Sequence, residues 1–478
     1  MAMKNFYITG VLLLVGFLVG CSGSSGSGGG VSAPGAPTAL AVNSGDAAVS
    51  LAWTAPANDG GAPITSYTVS TVPAAASVVV TINGTAAVVS GLTNGTSYSI
   101  SVAANNSAGK GSDSTPLQAT PSAANTSAYA LISVPGDPNA VSGIFDPSVV
   151  KSASGTVWLA YSSAHYYTNG SNQLVQDIST SIAKSSDNGQ TFSYIQTVGA
   201  AQGPVTVTDT THSVCGQQTC TGRWIYEVPF MVEDTSDPDP SRRFKLFAHK
   251  YFLYPPATPA LEHVLGAIVV WTATVPDGAW SAETTALAWN NTPPEIPGGT
   301  NINALDSALA PCLLVTEGSA SVRTGAIDFA MNCTYASGGI FPAKIVLLRS
   351  TDHAGTFTYV STLLSPSDAP IFNGAAFFNA PALVPTAGGA PLLMTTPDNG
   401  TGTYLGCLVI PFASEQSGTL VRNGSNLPVP ILTMPTLNGH FGGACAWDRS
   451  VTTTGILMID LDTAASPPFR ILATGKSL

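Results

Sequence analysis

The chain has 478 residues, enough for two or three domains, and its 44% hydrophobic content with 48 Gly and 35 Pro is that of a turn-rich globular protein. Charged residues make up only 9%, and 16 Lys and Arg against 27 Asp and Glu leave a net charge of -11. No basic run exists to engage phosphates, which excludes a nucleic-acid partner.

Residues 1–21 begin with a basic Lys4, continue through an apolar run from Phe6 to Val19, and end in Leu18-Val19-Gly20-Cys21. The apolar run is short for a membrane span and has the layout of an export signal. The last four residues resemble the lipobox of bacterial lipoproteins. That resemblance implies cleavage before Cys21, lipidation of its sulfur, and an exported protein anchored by lipid to the cell envelope, at the outer membrane or cell surface. Residues 22–33 are dominated by Ser and Gly, a composition that buries nothing and acts as a flexible tether.

Residues 34–122 change to short alternating runs of Val, Leu, Ile and Thr between Pro and Gly clusters, the pattern of a small β-sandwich. Ala48-Val49-Ser50-Leu51-Ala52-Trp53, Ile64-Thr65-Ser66-Tyr67 and Leu92 to Asn106, with Tyr98 inside the last, resemble a fibronectin type III domain. The resemblance implies that Trp53 is the buried indole and Tyr98 the tyrosine corner. A spacer holding the next domain off the membrane and a ligand-binding module are both compatible with it.

Residues 128–478 lack long amphipathic patterns, and apolar openings recur about every 70 residues, as blades of a β-propeller would. The openings align as Phe145-Asp146-Pro147, Glu227-Val228-Pro229, Leu309-Ala310-Pro311, Asn379-Ala380-Pro381 and His440-Phe441-Gly442. Five openings predict five blades, and each is followed by a second apolar run. The fold class is therefore all-β: a sandwich followed by a five-bladed propeller. Ser185 to Phe192 and Ser350 to Phe357 resemble Asp boxes of sialidase-like propellers, in which Asp187 and Asp352 would be turn-forming residues.

An ionised side chain at the mouth of an apolar strand demands a reason, and Asp146 and Glu227 each hold such a place. Together with His440 they resemble the five-bladed glycoside hydrolases of the family 43 and family 32 type. The resemblance implies a general base at Asp146, a general acid at Glu227, and His440 in the funnel near a central ion or water, so that a structural Ca2+ is admissible there and no other cofactor or metal is required. It also expects an acid on the third blade, which the opening Leu309-Ala310-Pro311 lacks; Asp306 is the nearest carboxylate. Tyr161 and Trp224 are candidates for stacking on sugar faces and Arg223 for polar contact. The partner implied is an oligo- or polysaccharide. A propeller that binds carbohydrate or protein without catalysis is the alternative reading. An exo-sialidase is a third, requiring a Tyr and Glu nucleophile pair and an arginine triad that Arg223, Arg323 and Arg349 would have to form by convergence.

Without Cys21, six cysteines remain: Cys215, Cys220, Cys312, Cys333, Cys407 and Cys445. An even number in an exported chain points to disulfides. Sequence leaves connectivity open, and proximity favours pairing them in that order.

Overall fold

The computed structural model describes residues 30–477 apart from 46–47, 75–78, 84, 122–128, 171, 173, 212–213, 217, 255–262, 324, 336–341, 373, 385–390, 424–425 and 438. Cys21 and the segment before it lie outside the described residues. The chain is all-β, a fibronectin type III sandwich followed by a five-bladed propeller, and the described residues contain no α-helix.

Two sheets form the sandwich. Thr38–Gly45, Ala48–Thr54, Ala86–Ser90 and Val79–Asn83 make one, and Ser66–Val72, Tyr98–Asn106, Gly109–Asp113 and Leu117–Ala119 the other. Trp53 is buried between them with its ring centre 5.0 Å from that of Tyr67. The Tyr98 hydroxyl accepts the Thr93 amide at 3.0 Å, tying strand to preceding turn.

Each propeller blade begins with an innermost strand: Gly143–Lys151, Thr219–Glu233, Leu314–Arg323, Phe377–Val384 and Phe441–Ala446. Neighbouring innermost strands touch around the ring, and the fifth returns to the first. The second strands, Val157–Thr168, Phe244–Leu253, Ala326–Thr334, Leu392–Asp398 and Leu457–Leu461, contain the apolar runs read from the sequence. Blade five is completed from the other end of the domain, because Ala130–Ile132 pairs with Phe469–Ala473 on its outer edge. Apolar surface is buried between blades: Phe230, Phe247 and Phe329 meet with ring centres 4.7 to 5.6 Å apart, joining blades two and three. Such contacts are worth about 0.5–1.5 kcal/mol each beyond area burial.

The third opening corrects the sequence alignment. Leu309-Ala310-Pro311 lies in a turn ahead of the innermost strand, and Asp306 accepts the Ala308 amide at 2.7 Å within that turn. Thr316-Glu317-Gly318 occupies the place assigned to it. The proof is a shared irregularity: every innermost strand has a register shift, at Phe145/Ser148, Glu227/Phe230, Thr316/Gly318, Asn379/Ala382 and Gly443/Ala446. Within each shift one non-glycine residue has positive φ, namely Asp146 (49°), Val228 (52°), Glu317 (44°), Ala380 (44°) and Ala444 (43°). A β-bulge re-aims the side chain it carries, and a left-handed non-glycine residue is uncommon enough that five in register define structural equivalence.

The disulfides are Cys215–Cys220, Cys312–Cys333 and Cys407–Cys445, as proximity favoured. The last joins blades four and five.

Candidate active site

The bulges place two acids at equivalent positions, Asp146 on blade one and Glu317 on blade three, with Glu227 one residue before the bulge of blade two. All three line one cavity of about 210 Å³. Phe145, Tyr166, Phe469, Tyr404 and Phe441 line the same cavity. These rings brace one another, Phe145 and Tyr166 against Phe469 at 5.0 and 5.4 Å and Tyr404 against Phe441 at 4.6 Å. A second, axial cavity of about 190 Å³ runs between the innermost strands and shares Asp146 and Glu317 with the first.

Asp146 is 8% exposed, and its Oδ2 accepts the Ser162 hydroxyl at 3.1 Å. Burial pushes its carboxyl well above the ordinary range, and the charges of Glu227 and Glu317 push the same way; bonds from Ser162 and the Val228 amide oppose them. Burial likewise raises Glu317, to about 7, aided by Glu227 and Asp398 and opposed by the Tyr404 hydrogen bond and by His263. The Tyr404 hydroxyl donates to Glu317 Oε1 at 2.8 Å, while Oε2 is buried with no hydrogen-bond partner among the described residues. An oxygen in that condition is suited to carrying a proton. Glu227 faces His263, whose Nε2 is 3.5 Å from Oε2.

The remaining expected residues lie elsewhere. Tyr161 is buried inside blade one, donating its hydroxyl to Asp137 Oδ2 at 2.9 Å, and cannot reach a ligand in the cavity. Trp224 is 6% exposed, packed between blades with the Lys250 ammonium 5.0 Å from its ring centre. Arg223 is engaged by Asp177, with Nε 2.6 Å from Oδ1. His440 is not in the cavity wall; its Nδ1 lies 3.0 Å from Oδ1 of Asp460, which is in the wall and also pairs with Arg470. The missed residues are Glu317 and Tyr404. Only a bulge pattern without proline, Thr316-Glu317-Gly318, could have disclosed the first, and nothing local to Tyr404 announces the second.

For the Ca2+ admissible in the funnel, the described residues around His440 supply no cage of oxygens. Calcium takes six to eight oxygens, whereas His440 offers nitrogen and Asp460 is already engaged by Arg470. Among the described residues, the one group of three metal-ligating atoms lying within 4.8 Å of one another is Asp234, Asp237 and His353. That position already holds a cation, the buried Lys245 ammonium, 3.2 and 2.9 Å from the two aspartates. The arginines also fail to converge: Arg323 and Arg349 both pair with Asp328 on blade three, and no arginine lines the carboxylate cavity.

Residues 32–120 match the fibronectin type III domain model. No curated protein matches the chain by sequence. By structure, the chain is similar to a thermostable family-43 glycoside hydrolase, with 13% identity, 69% of this chain and 88% of that one covered, and a TM-score of 0.40. It is also similar to a Bombyx mori family-32 β-fructofuranosidase, with 9% identity, 69% of this chain covered and a TM-score of 0.39; only 59% of the silkworm protein is spanned. A third is the NanB sialidase of Streptococcus pneumoniae, with 10% identity, 79% and 82% covered and a TM-score of 0.38. At such identities and TM-scores the likeness carries no argument about what this chain does.

Proposed function

We propose that the propeller hydrolyses a glycosidic bond in an oligo- or polysaccharide. The observation that carries this reading is the convergence of Asp146, Glu227 and Glu317, from three successive innermost strands, on one aromatic-walled cavity. Glycoside hydrolysis needs one carboxyl group that keeps its proton and one that accepts a proton from water. Glu317 is the donor: its Oε2 proton goes to the leaving glycosidic oxygen as the C–O bond breaks. Asp146 is the base, taking a proton from the water that adds to the anomeric carbon; its bonds from Ser162 and the Val228 amide favour the ionised form. Glu227, assigned the acid role from sequence, becomes the neighbour whose charge helps keep Glu317 protonated. The aromatic walls offer faces on which a sugar ring stacks.

One observation favours a non-catalytic alternative. Burial raises Asp146 as well as Glu317, and a cavity in which both stayed protonated would bind sugar without turning it over. The sialidase reading finds no support in the arginine positions. In the proposed setting the protein is exported and held to the envelope through lipid on Cys21, with the fibronectin type III domain as spacer.

The test is a screen of purified protein against arabinan, xylan, fructan and sialylated glycans, with Asp146→Asn, Glu227→Gln and Glu317→Gln controls. Release of sugar that is lost by about 10²–10⁴-fold in Glu317→Gln is the expected result. Binding without release by the unaltered protein would establish the alternative.

A further inference from the structure

Tyr404 comes from the loop that joins the second and third strands of blade four, Leu392–Asp398 and Cys407–Ser414. Three contacts fix it. Its backbone forms a β-bridge with Asp398, the next amide, Leu405, donates to the Pro397 carbonyl at 2.9 Å, and its ring stacks on Phe441 of blade five at 4.6 Å with 21° between planes. Its hydroxyl is thus delivered by blades four and five to a carboxyl group of blade three.

We propose that Tyr404 is the positioning residue of the acid: its O–H anchors Glu317 Oε1, which leaves Oε2 as the oxygen that carries and delivers the proton. The proposal rests on the glycosidase reading for what the proton does, and on geometry alone for where it sits. Tyr404 acts as donor here: its hydroxyl proton points at Glu317 Oε1 at 2.8 Å, and burial, followed by the charge and hydrogen bond of Glu317, holds that proton on the phenol.

Several titratable groups surround Glu317. Asp146 and Glu227 approach from blades one and two, Asp398 from blade four, and His263 from the turn before Gly266–Ala273 of blade two; Asp460, held by Arg470 and His440, lines the same cavity. Against burial and the carboxylates of Glu227 and Asp398, the Tyr404 hydroxyl stabilises the ionised form by a direct hydrogen bond, and His263 adds a favourable charge. Without it Glu317 would hold its proton more tightly.

The experiment is a carboxyl titration of the purified full chain labelled with [13Cδ]glutamate, the Glu317 resonance being assigned by its loss in Glu317→Gln. Tyr404→Phe, which keeps the stacked ring, is expected to raise the Glu317 midpoint by about one pH unit. In turnover of aryl glycosides it lowers kcat by about 10–100-fold and moves the basic limb of kcat/KM upward with the midpoint. Phe441→Leu retains the hydroxyl but removes its backing, and raises the midpoint by less. A Tyr404→Phe titration that superimposes on the unaltered protein overturns the proposal; if that variant does not fold, an unshifted midpoint in Phe441→Leu overturns it instead. A shifted midpoint in a protein that turns over no glycoside would sink the glycosidase reading while leaving the Tyr404 contact intact.

Discussion

Burial makes Glu317 keep its proton to higher pH in the folded protein than in the unfolded one, and the difference is measurable without a substrate. Its affinity for a proton rises on folding from an ordinary 4.5 to about 7. Between those values the folded state holds a proton that the unfolded state lacks, so the contribution of Glu317 to stability is full below about 4.5 and is lost as pH rises through about 7. The loss is about 3 kcal/mol by linkage. Urea unfolding at a series of pH values should show this slope, and Glu317→Gln should flatten it. A second expectation concerns its neighbour. Glu227→Gln removes a like charge, which favours ionised Glu317, so the basic limb of the rate profile should move to lower pH by about one unit. A limb that stays put would mean that Glu227 does not tune the acid.

At the scale of elements, the two turns Ser185 to Phe192 and Ser350 to Phe357 have matching hydrogen bonds. Ser185 and Ser350 each donate their hydroxyl to the aspartate two residues on at 2.7 Å, and Asp187 and Asp352 accept the amides of Thr191 and Thr356 at 2.9 and 2.8 Å. Gly189 in the first turn and Ala354 in the second donate their amides to the Oγ of the same serine, with φ of 93° and 72°. A left-handed alanine costs about 1–2 kcal/mol relative to a right-handed one. Ala354→Gly should therefore stabilise the protein by about 1 kcal/mol in chemical denaturation; destabilisation would show that alanine's smaller loss of backbone entropy dominates. The innermost strands explain what was legible in sequence and what was not. Asp146, Val228 and Ala380 are each followed by proline, which marks the bulge, whereas Glu317 is followed by Gly318 and Ala444 by Cys445. Ala310-Pro311 imitates the marked form in a turn, and so drew the third opening several residues too early.

At the scale of the molecule, the propeller is a closed ring whose first and last blades must be held together. Pairing of Ala130–Ile132 with Phe469–Ala473 brings the two ends of the domain into one sheet. The Cys407–Cys445 disulfide, closing a sequence separation of 38 residues, adds a covalent link between blades four and five. Loop-closure entropy for that length corresponds to about 4 kcal/mol. Replacing both cysteines by serine should lower unfolding stability by about that amount, and an unchanged stability would show that the strand pairings alone hold these blades.

The chain read alone yields what is periodic and local: an all-β pattern, a sandwich followed by five blades, four of the five blade openings, Asp146 and Glu227 at strand mouths, and a cysteine pairing favoured by proximity alone. These follow from alternation, turn chemistry and spacing, which act over a few residues, while the places of Trp53 and Tyr98 came from the resemblance to fibronectin type III domains. Which acids share a cavity is set by packing across the whole ring. Bulge registry around a closed ring brings residues 146, 227 and 317 together, and Tyr404 reaches Glu317 from 87 residues away along the chain. It also removed Tyr161, Trp224 and Arg223 from the site, since burial and pairing with Asp137, Lys250 and Asp177 are products of packing that no local pattern encodes.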